Sequence, residues 1–242
     1  MIAVNVENLH KYFKDIKAVN GISFKVSVGE IFGLIGPNGA GKTTTLRVIA
    51  TLLKPTMGRV EIFGLDVVNK AEEVRKVISY LPEEAGAYEQ LTGLEYLKFM
   101  GGFIAEGDEL NEMVEIGVSI ADLGDRIGDK IKTYSKGMKR RLLIARALMS
   151  KPKLAILDEP TSGLDVLHAY HVRDILKRYA REYKITLVVS SHNMLEIEYL
   201  CDRVAIIHKG KIIAEGNPRK LIEEADASNL EEVFMKKVSA HA

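Results

Sequence analysis

The eight residues Gly36–Thr43 read Gly-Pro-Asn-Gly-Ala-Gly-Lys-Thr, and they join a short apolar stretch, Glu30–Ile35, to a helical pattern running to Leu53 before Pro55. A strand entering a glycine-rich loop that opens a helix is a cradle for nucleotide phosphates. Without Cβ atoms the loop can wrap an anion closely, and successive backbone N–H groups and the helix N-terminus converge on it. Lys42 is placed to reach the β- and γ-phosphates and Thr43 to ligate Mg²⁺. The loop as a whole, Gly36, Pro37, Asn38, Gly39, Ala40, Gly41, Lys42, Thr43 and the following Thr44, is the candidate binding segment.

Around this loop the strand and helix signals alternate. Apolar β-rich segments at Ile2–Val6, Ile22–Val28, Ile31–Ile35, Val60–Phe63 and Ile78–Leu81 give way to a helical middle, Thr92–Met149. Alternation resumes after Pro152 with strands at Leu154–Leu157, Ile185–Ser190 and Val204–Ile207 and helices at about His168–Glu182 and Met194–Cys201. Lys209-Gly210 reads as a hairpin turn before Lys211–Ala214. This pattern predicts an α/β fold with a parallel sheet flanked by helices, treated as a single 1–242 domain. Its core covers about 1–83 and 151–217, with a helical subdomain inserted at about 84–150 and a helical tail from 218. The tail's apolar positions are Leu221, Leu230, Val233 and Phe234.

Leu154–Leu157 ends in Asp158-Glu159, two carboxylates at the carboxyl edge of a buried strand, where open α/β sheets bind ligands. Asp158 is suited to the Mg²⁺ shell and Glu159 to orienting and deprotonating an attacking water. Among 242 residues with a net charge of +1 there is no field to attract nucleic acid or anionic lipid. Lys139-Arg140-Arg141 reads as a solvated or phosphate-facing helix surface, so no nucleic-acid partner is expected. The longest apolar runs are strand-length, well short of the ~20 residues of a spanning helix. The N-terminus lacks a signal-peptide pattern, so a cytoplasmic location is expected. Cys201, the single cysteine, reads as a packed thiol.

Taken together these segments resemble the nucleotide-binding subunit of an ATP-binding cassette (ABC) transporter over about residues 1–225. The most specific mark is Tyr134-Ser135-Lys136-Gly137-Met138, which opens the helix before the carboxylate strand, where the family carries Leu-Ser-Gly-Gly-Gln. The resemblance implies a P-loop NTPase (RecA-like) core with an N-terminal antiparallel β subdomain and an inserted helical one. It implies ATP and Mg²⁺ as ligands, and two chains sandwiching two ATPs, as a homodimer or heterodimer of cassettes. Ser135 and Gly137 would then meet the γ-phosphate held by the other subunit. Phe13, with Tyr12 as the neighbouring alternative, would stack on adenine. Ser162-Gly163-Leu164-Asp165 resembles the D-loop, whose Asp165 belongs to the dimer interface, and His192 the switch histidine beside the catalytic Glu159. The other histidines, His10, His168, His171, His208 and His241, read as packing or solvent-facing.

Two positions depart from the family pattern. Glu83 stands where glutamine is usual, keeping an oxygen for Mg²⁺ but adding charge, with Glu84 beside it. Lys136 replaces a signature glycine and Met138 a glutamine. Lys136 would either offset Glu83 across the interface or run into solvent. Leu91–Leu97 resembles the entry to the helical subdomain, beside the groove that receives a permease. The Tyr-Leu-Pro-Glu-Glu and Tyr-Ser-Lys-Gly-Met segments and the tail Asn229–Phe234 resemble exporter cassettes for drugs, sodium, peptides or polysaccharides. A transmembrane permease on a separate chain is the implied partner, with the cassette peripheral on the inner face of the membrane. The competing reading is a soluble single-cassette ATPase of assembly or regulation.

Overall fold

The computed structural model describes residues 1–239, so His241 lies outside the described residues. The chain opens with two long antiparallel strands, β1 (Ile2–Phe13) and β2 (Ile16–Ser27), followed by the fully buried β3 (Ile31–Ile35) and helix α1 (Lys42–Ile49). Next come β4 (Met57–Ile62), the two-residue β5 (Leu65–Asp66), the short α2 (Ala71–Arg75) and β6 (Ile78–Leu81). Helices α3 (Gly93–Gly101), α4 (Gly107–Ala121) and α5 (Lys136–Leu148) all fall between β6 and β7 (Leu154–Leu157). The remainder is α6 (Val166–Glu182), β8 (Thr186–Ser191), α7 (Met194–Leu200), β9 (Arg203–His208), β10 (Lys211–Gly216), α8 (Pro218–Glu224) and α9 (Leu230–Ser239).

Two sheets result. One is antiparallel, in the order β2-β1-β4-β5; the other runs β10-β9-β3-β8-β7-β6 and is parallel except for β10 at its edge. The central strands β3, β7 and β8 are buried along their whole length, which is why they read as largely apolar runs. Their alternate residues divide between two cores. Phe32, Leu34, Ile156 and Val188 face α1 and the antiparallel sheet, whereas Ile31, Ile35, Leu157 and Val189 face α5, α6 and α7. Each such side chain contributes ~1.5–3 kcal/mol when fully removed from water.

Register aligns the carboxyl ends of four strands. Leu81 of β6 pairs with Leu157 of β7, which pairs with Val189 of β8, and Ile35 of β3 pairs with Ser191. Residues 36, 82, 158 and 192 therefore leave the sheet on one edge. Local signals set the helix starts. Thr92 and Glu95 form a capping box on α3, Ser135 caps α5 through the Met138 amide at 3.2 Å, and Pro218 follows the Asn217 cap of α8.

Several boundaries differ from the sequence expectation. The first strand runs on to Phe13 through polar Glu7, Asn8 and His10, because bulges there and a left-handed Asn8 break its alternation without ending the pairing. α1 stops at Ile49 rather than Leu53, since Thr51 turns to φ +63° and Leu52 is exposed. α2 and β5, short and without strong periodicity, carry no sequence signal. Among the described residues no helix is long and apolar enough to cross a membrane.

Candidate nucleotide site

The phosphate loop is shaped by what its glycines leave out. A Cβ on Gly36 would lie 2.1 Å from the Ile207 carbonyl oxygen, and one on Gly41, at φ +110°, would lie 2.4 Å from that of Ala18. Gly41 is also the N-cap of α1 and offers no side chain to the first-turn N–H groups, which remain for an anion. A cavity of about 400 Å³ opens over the loop. Phe13, Ala18, residues 38–44, Glu83 and Glu159 line it.

The chemistry gathers at the carboxyl ends of β7 and β8. Glu159, 4% exposed, accepts from Lys42 Nζ at 3.2 Å through one oxygen and meets His192 Nδ1 at 2.8 Å through the other. Lys42 also donates to the carbonyls of Gly36 at 2.8 Å and Pro37 at 3.3 Å. Asp158, 1% exposed, accepts from Thr43 Oγ1 at 3.2 Å and Ser190 Oγ at 2.6 Å. Ser190 Oγ in turn accepts from the Glu159 amide at 2.9 Å. Glu159 has φ +49°, a left-handed conformation costing ~1–3 kcal/mol for a residue with a side chain, and the surrounding bonds hold it there. Burial and the nearby Asp158 charge push the Tyr80 hydroxyl's pKa above its ordinary value, with Arg47 opposing. Tyr80 therefore stays a neutral donor beside Asp158, 3.5 Å away.

The donors fit a nucleotide and a small hard cation. Thr43, Asp158 and Glu83 offer oxygen only, and among the described residues no group of three or more His, Cys, Asp or Glu is arranged to hold a metal alone. A cation here would share its shell with phosphate oxygens, the habit of Mg²⁺.

The predicted residues separate into two groups. Phe13, the phosphate loop, Thr43, Thr44, Glu83, Asp158, Glu159 and His192 meet around the cavity or its wall. Tyr12 does not line it. Its hydroxyl is engaged by His10 at 2.8 Å and Asn20 at 3.3 Å, which leaves Phe13, 43% exposed, as the aromatic wall. Ser135, Gly137 and Asp165 also lie off the cavity. Asp165 caps α6 and bonds His168 Nδ1 at 2.7 Å, and these bonds, the His168 amide first, lower its carboxyl pKa. The His168 ring lies over Gly137, where an added Cβ would meet Cδ2 at 2.3 Å.

Lys136 is exposed, as its solvent reading expects, but its side chain does not run straight out. Its Nζ folds over the chain's own Gly163, 2.0 Å from where a Cβ would sit. Glu83 accepts from Ser162 Oγ at 3.3 Å. Nor is the Lys139–Arg141 run a basic surface. Lys139 bonds Glu89 at 2.5 Å, Arg140 is buried, and Arg141 bonds the Asp122 carbonyl at 2.5 Å. The remaining histidines are engaged as packing or surface groups, His10 with Tyr12, His171 with Asp122 at 2.9 Å and His208 against the Phe234 ring. Sequence reasoning missed Ser190, Tyr80 and Arg140, although the polar Ser190-Ser191 end of an otherwise apolar strand is a signal for the first.

A phosphate loop between strand and helix, with carboxylates at the end of a parallel strand one place removed in the same sheet, defines a P-loop nucleotide-binding α/β protein. Residues 19–162 match the family described as ABC transporter. The ATP-binding protein NatA of Bacillus subtilis is 38% identical over 232 residues, 93% of this chain and 92% of that protein. The bacitracin transport ATP-binding protein BcrA of Bacillus licheniformis is 39% identical over 216 residues, 88% and 69% of the two chains. Among solved structures, an ATP-binding subunit of an ABC transporter superposes with a TM-score of 0.82 at 28% identity, covering 98% of this chain and 99% of that one. A dimeric cassette in a post-hydrolysis state with ADP and Pi gives 0.77 at 26% identity, covering 88% and 98%. The chain belongs to the ABC transporter family, as one of its ATP-binding cassette ATPases.

Proposed function

We propose that this chain is the Mg²⁺-dependent ATPase subunit of an exporter, working as a pair of cassettes against a separate membrane-spanning permease. The observation that carries the reading is Glu159, fixed between Lys42 and His192 at the lip of the phosphate loop. Phe13 would stack on the adenine, a contact worth ~1–3 kcal/mol. The N–H groups of residues 38–44 and Lys42 would hold the phosphates, with Lys42 exchanging Glu159 for the γ-phosphate. Thr43, Asp158 and Glu83 would hold Mg²⁺, whose part is to neutralise charge developing on the phosphates. Released from Lys42, Glu159 would accept the proton of the attacking water while His192 keeps its second oxygen in place. Ser135 at the N-terminus of α5, with Gly137 behind it, would face the nucleotide bound by the other cassette, and Asp165 would lie at that interface.

The exporter assignment is supported by the roles for which relatives are named, among them bacitracin transport and daunorubicin/doxorubicin resistance. A permease on another chain is supported by α3. Tyr88, Phe99 and Phe103 form an edge-to-face ladder with centroids 5.4 and 5.1 Å apart, and with Ile104 they leave an apolar patch uncovered. Such a subunit would sit on the inner face of the membrane. Affinity purification from detergent-solubilised membranes of the source cell tests this. A co-purifying polytopic chain and Mg²⁺-dependent phosphate release are expected; an active ATPase that stays wholly in the soluble fraction would support the soluble reading instead.

A further inference from the structure

Arg140 sits in α5 five residues after Ser135, amid the basic run Lys139–Arg141, yet it is only 7% exposed. Its three guanidinium nitrogens all donate to main-chain carbonyls. Nε reaches Pro160 at 2.8 Å; Nη2 reaches Asp158 at 3.0 Å and Glu159 at 2.7 Å; Nη1 reaches Glu83 at 3.1 Å and Pro82 at 3.4 Å. Two segments more than seventy residues apart in sequence thus converge on one cation. They are the segments whose side chains, Glu83, Asp158 and Glu159, supply the carboxylates of the site. Burial pulls the guanidinium pKa below its ordinary value, and the charges of those three carboxylates oppose the shift.

The geometry demands an arginine. A planar fork with five N–H donors can address both segments at once, whereas an ammonium on a flexible stem cannot span them. Three consecutive carbonyls, 158 to 160, can point at one group because the chain turns sharply through the left-handed Glu159. The guanidinium therefore holds a backbone conformation that the chain on its own disfavours.

We infer that Arg140 is a positioning residue, which locks the main chain beneath Glu159 and Glu83 to helix α5 so that the N-terminus of α5, the catalytic carboxylate and the Glu83 segment move as one unit. A nucleotide meeting Ser135 would then bear on Glu159 through a rigid connection rather than through loops. This rests on the ATPase reading above, but the connection itself can be measured without turnover.

The test uses full-length Arg140→Lys, which keeps the charge and loses the fork, with Arg140→Gln as the second variant. Hydrogen–deuterium exchange of the protein alone should quicken at least several-fold in peptides covering 81–84 and 157–161 and stay unchanged in β3 and β8. In steady-state assays kcat should fall ~10–100-fold, the effect of misplacing a reacting group by about an ångström, while Kd for Mg-ATP stays within about threefold. A folded variant with unaltered exchange in both peptides, or with kcat and Kd both unchanged, overturns the inference. So does failure of both variants to fold, which would make Arg140 a folding determinant. A wild-type protein that binds ATP without turning it over would refute the ATPase reading instead, and the exchange result would still decide the role of Arg140.

Discussion

Ser190→Ala removes one oxygen atom, and the structure says what that atom does. The hydroxyl is fully buried, donates to Asp158 Oδ1 at 2.6 Å and accepts from the Glu159 amide at 2.9 Å. Its loss costs a hydrogen bond to a charged group, ~1.5–3 kcal/mol, and strands a buried N–H, ~1–3 kcal/mol. Asp158 keeps Thr43, and the two effects share one group, so we expect about 3 kcal/mol in all. For a domain of this size 1 kcal/mol moves Tm by ~2–4 °C, which gives a fall of roughly 6–12 °C in scanning calorimetry. Because the same hydroxyl seats the backbone of Glu159, kcat should also fall ~10–100-fold, with Mg-ATP affinity little altered. Ser190→Thr, which keeps the oxygen, should retain more activity than the alanine variant. A Ser190→Ala protein melting within about 2 °C of wild type with unchanged kcat would refute the idea that this hydroxyl holds the two carboxylates in place.

Other outcomes follow from the same geometry. Lys42→Met should abolish or greatly weaken Mg-ATP binding, and it should also cost about 3 kcal/mol in urea unfolding, since it breaks a buried pair with both side chains 5% exposed. Adding Glu159→Gln should restore most of that stability, because no uncompensated charge is left; strict additivity would argue against the pair. Mixing Ser135→Arg with Lys42→Ala subunits, each inactive alone, should recover part of the ATPase activity if the signature serves the partner's nucleotide, and none at any ratio if it serves its own. Burial first, then Asp202 and Glu30, raise the Cys201 thiol pKa from its ordinary 9.0. The native protein should therefore not react with a thiol reagent at pH 8, and the thiol's share of stability should be complete below pH 9 and lost as pH rises towards the native value.

How much of this was legible in the sequence depended on how local each signal is. The placement of Gly36–Thr43 between β3 and α1 and of Asp158-Glu159 at the end of β7 was legible because each signal lies within one short stretch, and the parallel sheet then aligns their edges. Phe13 could not be separated from Tyr12 by sequence, since the choice depends on the His10 and Asn20 partners of the Tyr12 hydroxyl. Arg140 was misread as surface for a physical reason. Three adjacent cations on a helix predict solvent, and only the convergence of carbonyls from residues 82–83 and 158–160 makes a buried guanidinium tolerable. The particular resting places of Lys136 and His168 were likewise not legible. The spaces they fill exist because Gly163 and Gly137 lack Cβ atoms on other segments.

In the proposed cycle two of these chains close on ATP and hydrolysis at Glu159 reopens them. Glu159→Gln removes the base while leaving the phosphate loop whole, so hydrolysis should slow by ~10²–10⁴-fold with binding intact. Size-exclusion chromatography with light scattering, run with and without Mg-ATP, reads the consequence directly. The account predicts that the Glu159→Gln chain, 26.9 kDa, elutes as a monomer alone and shifts to twice that mass with Mg-ATP; a Glu159→Gln protein saturated with ATP yet still monomeric would contradict it.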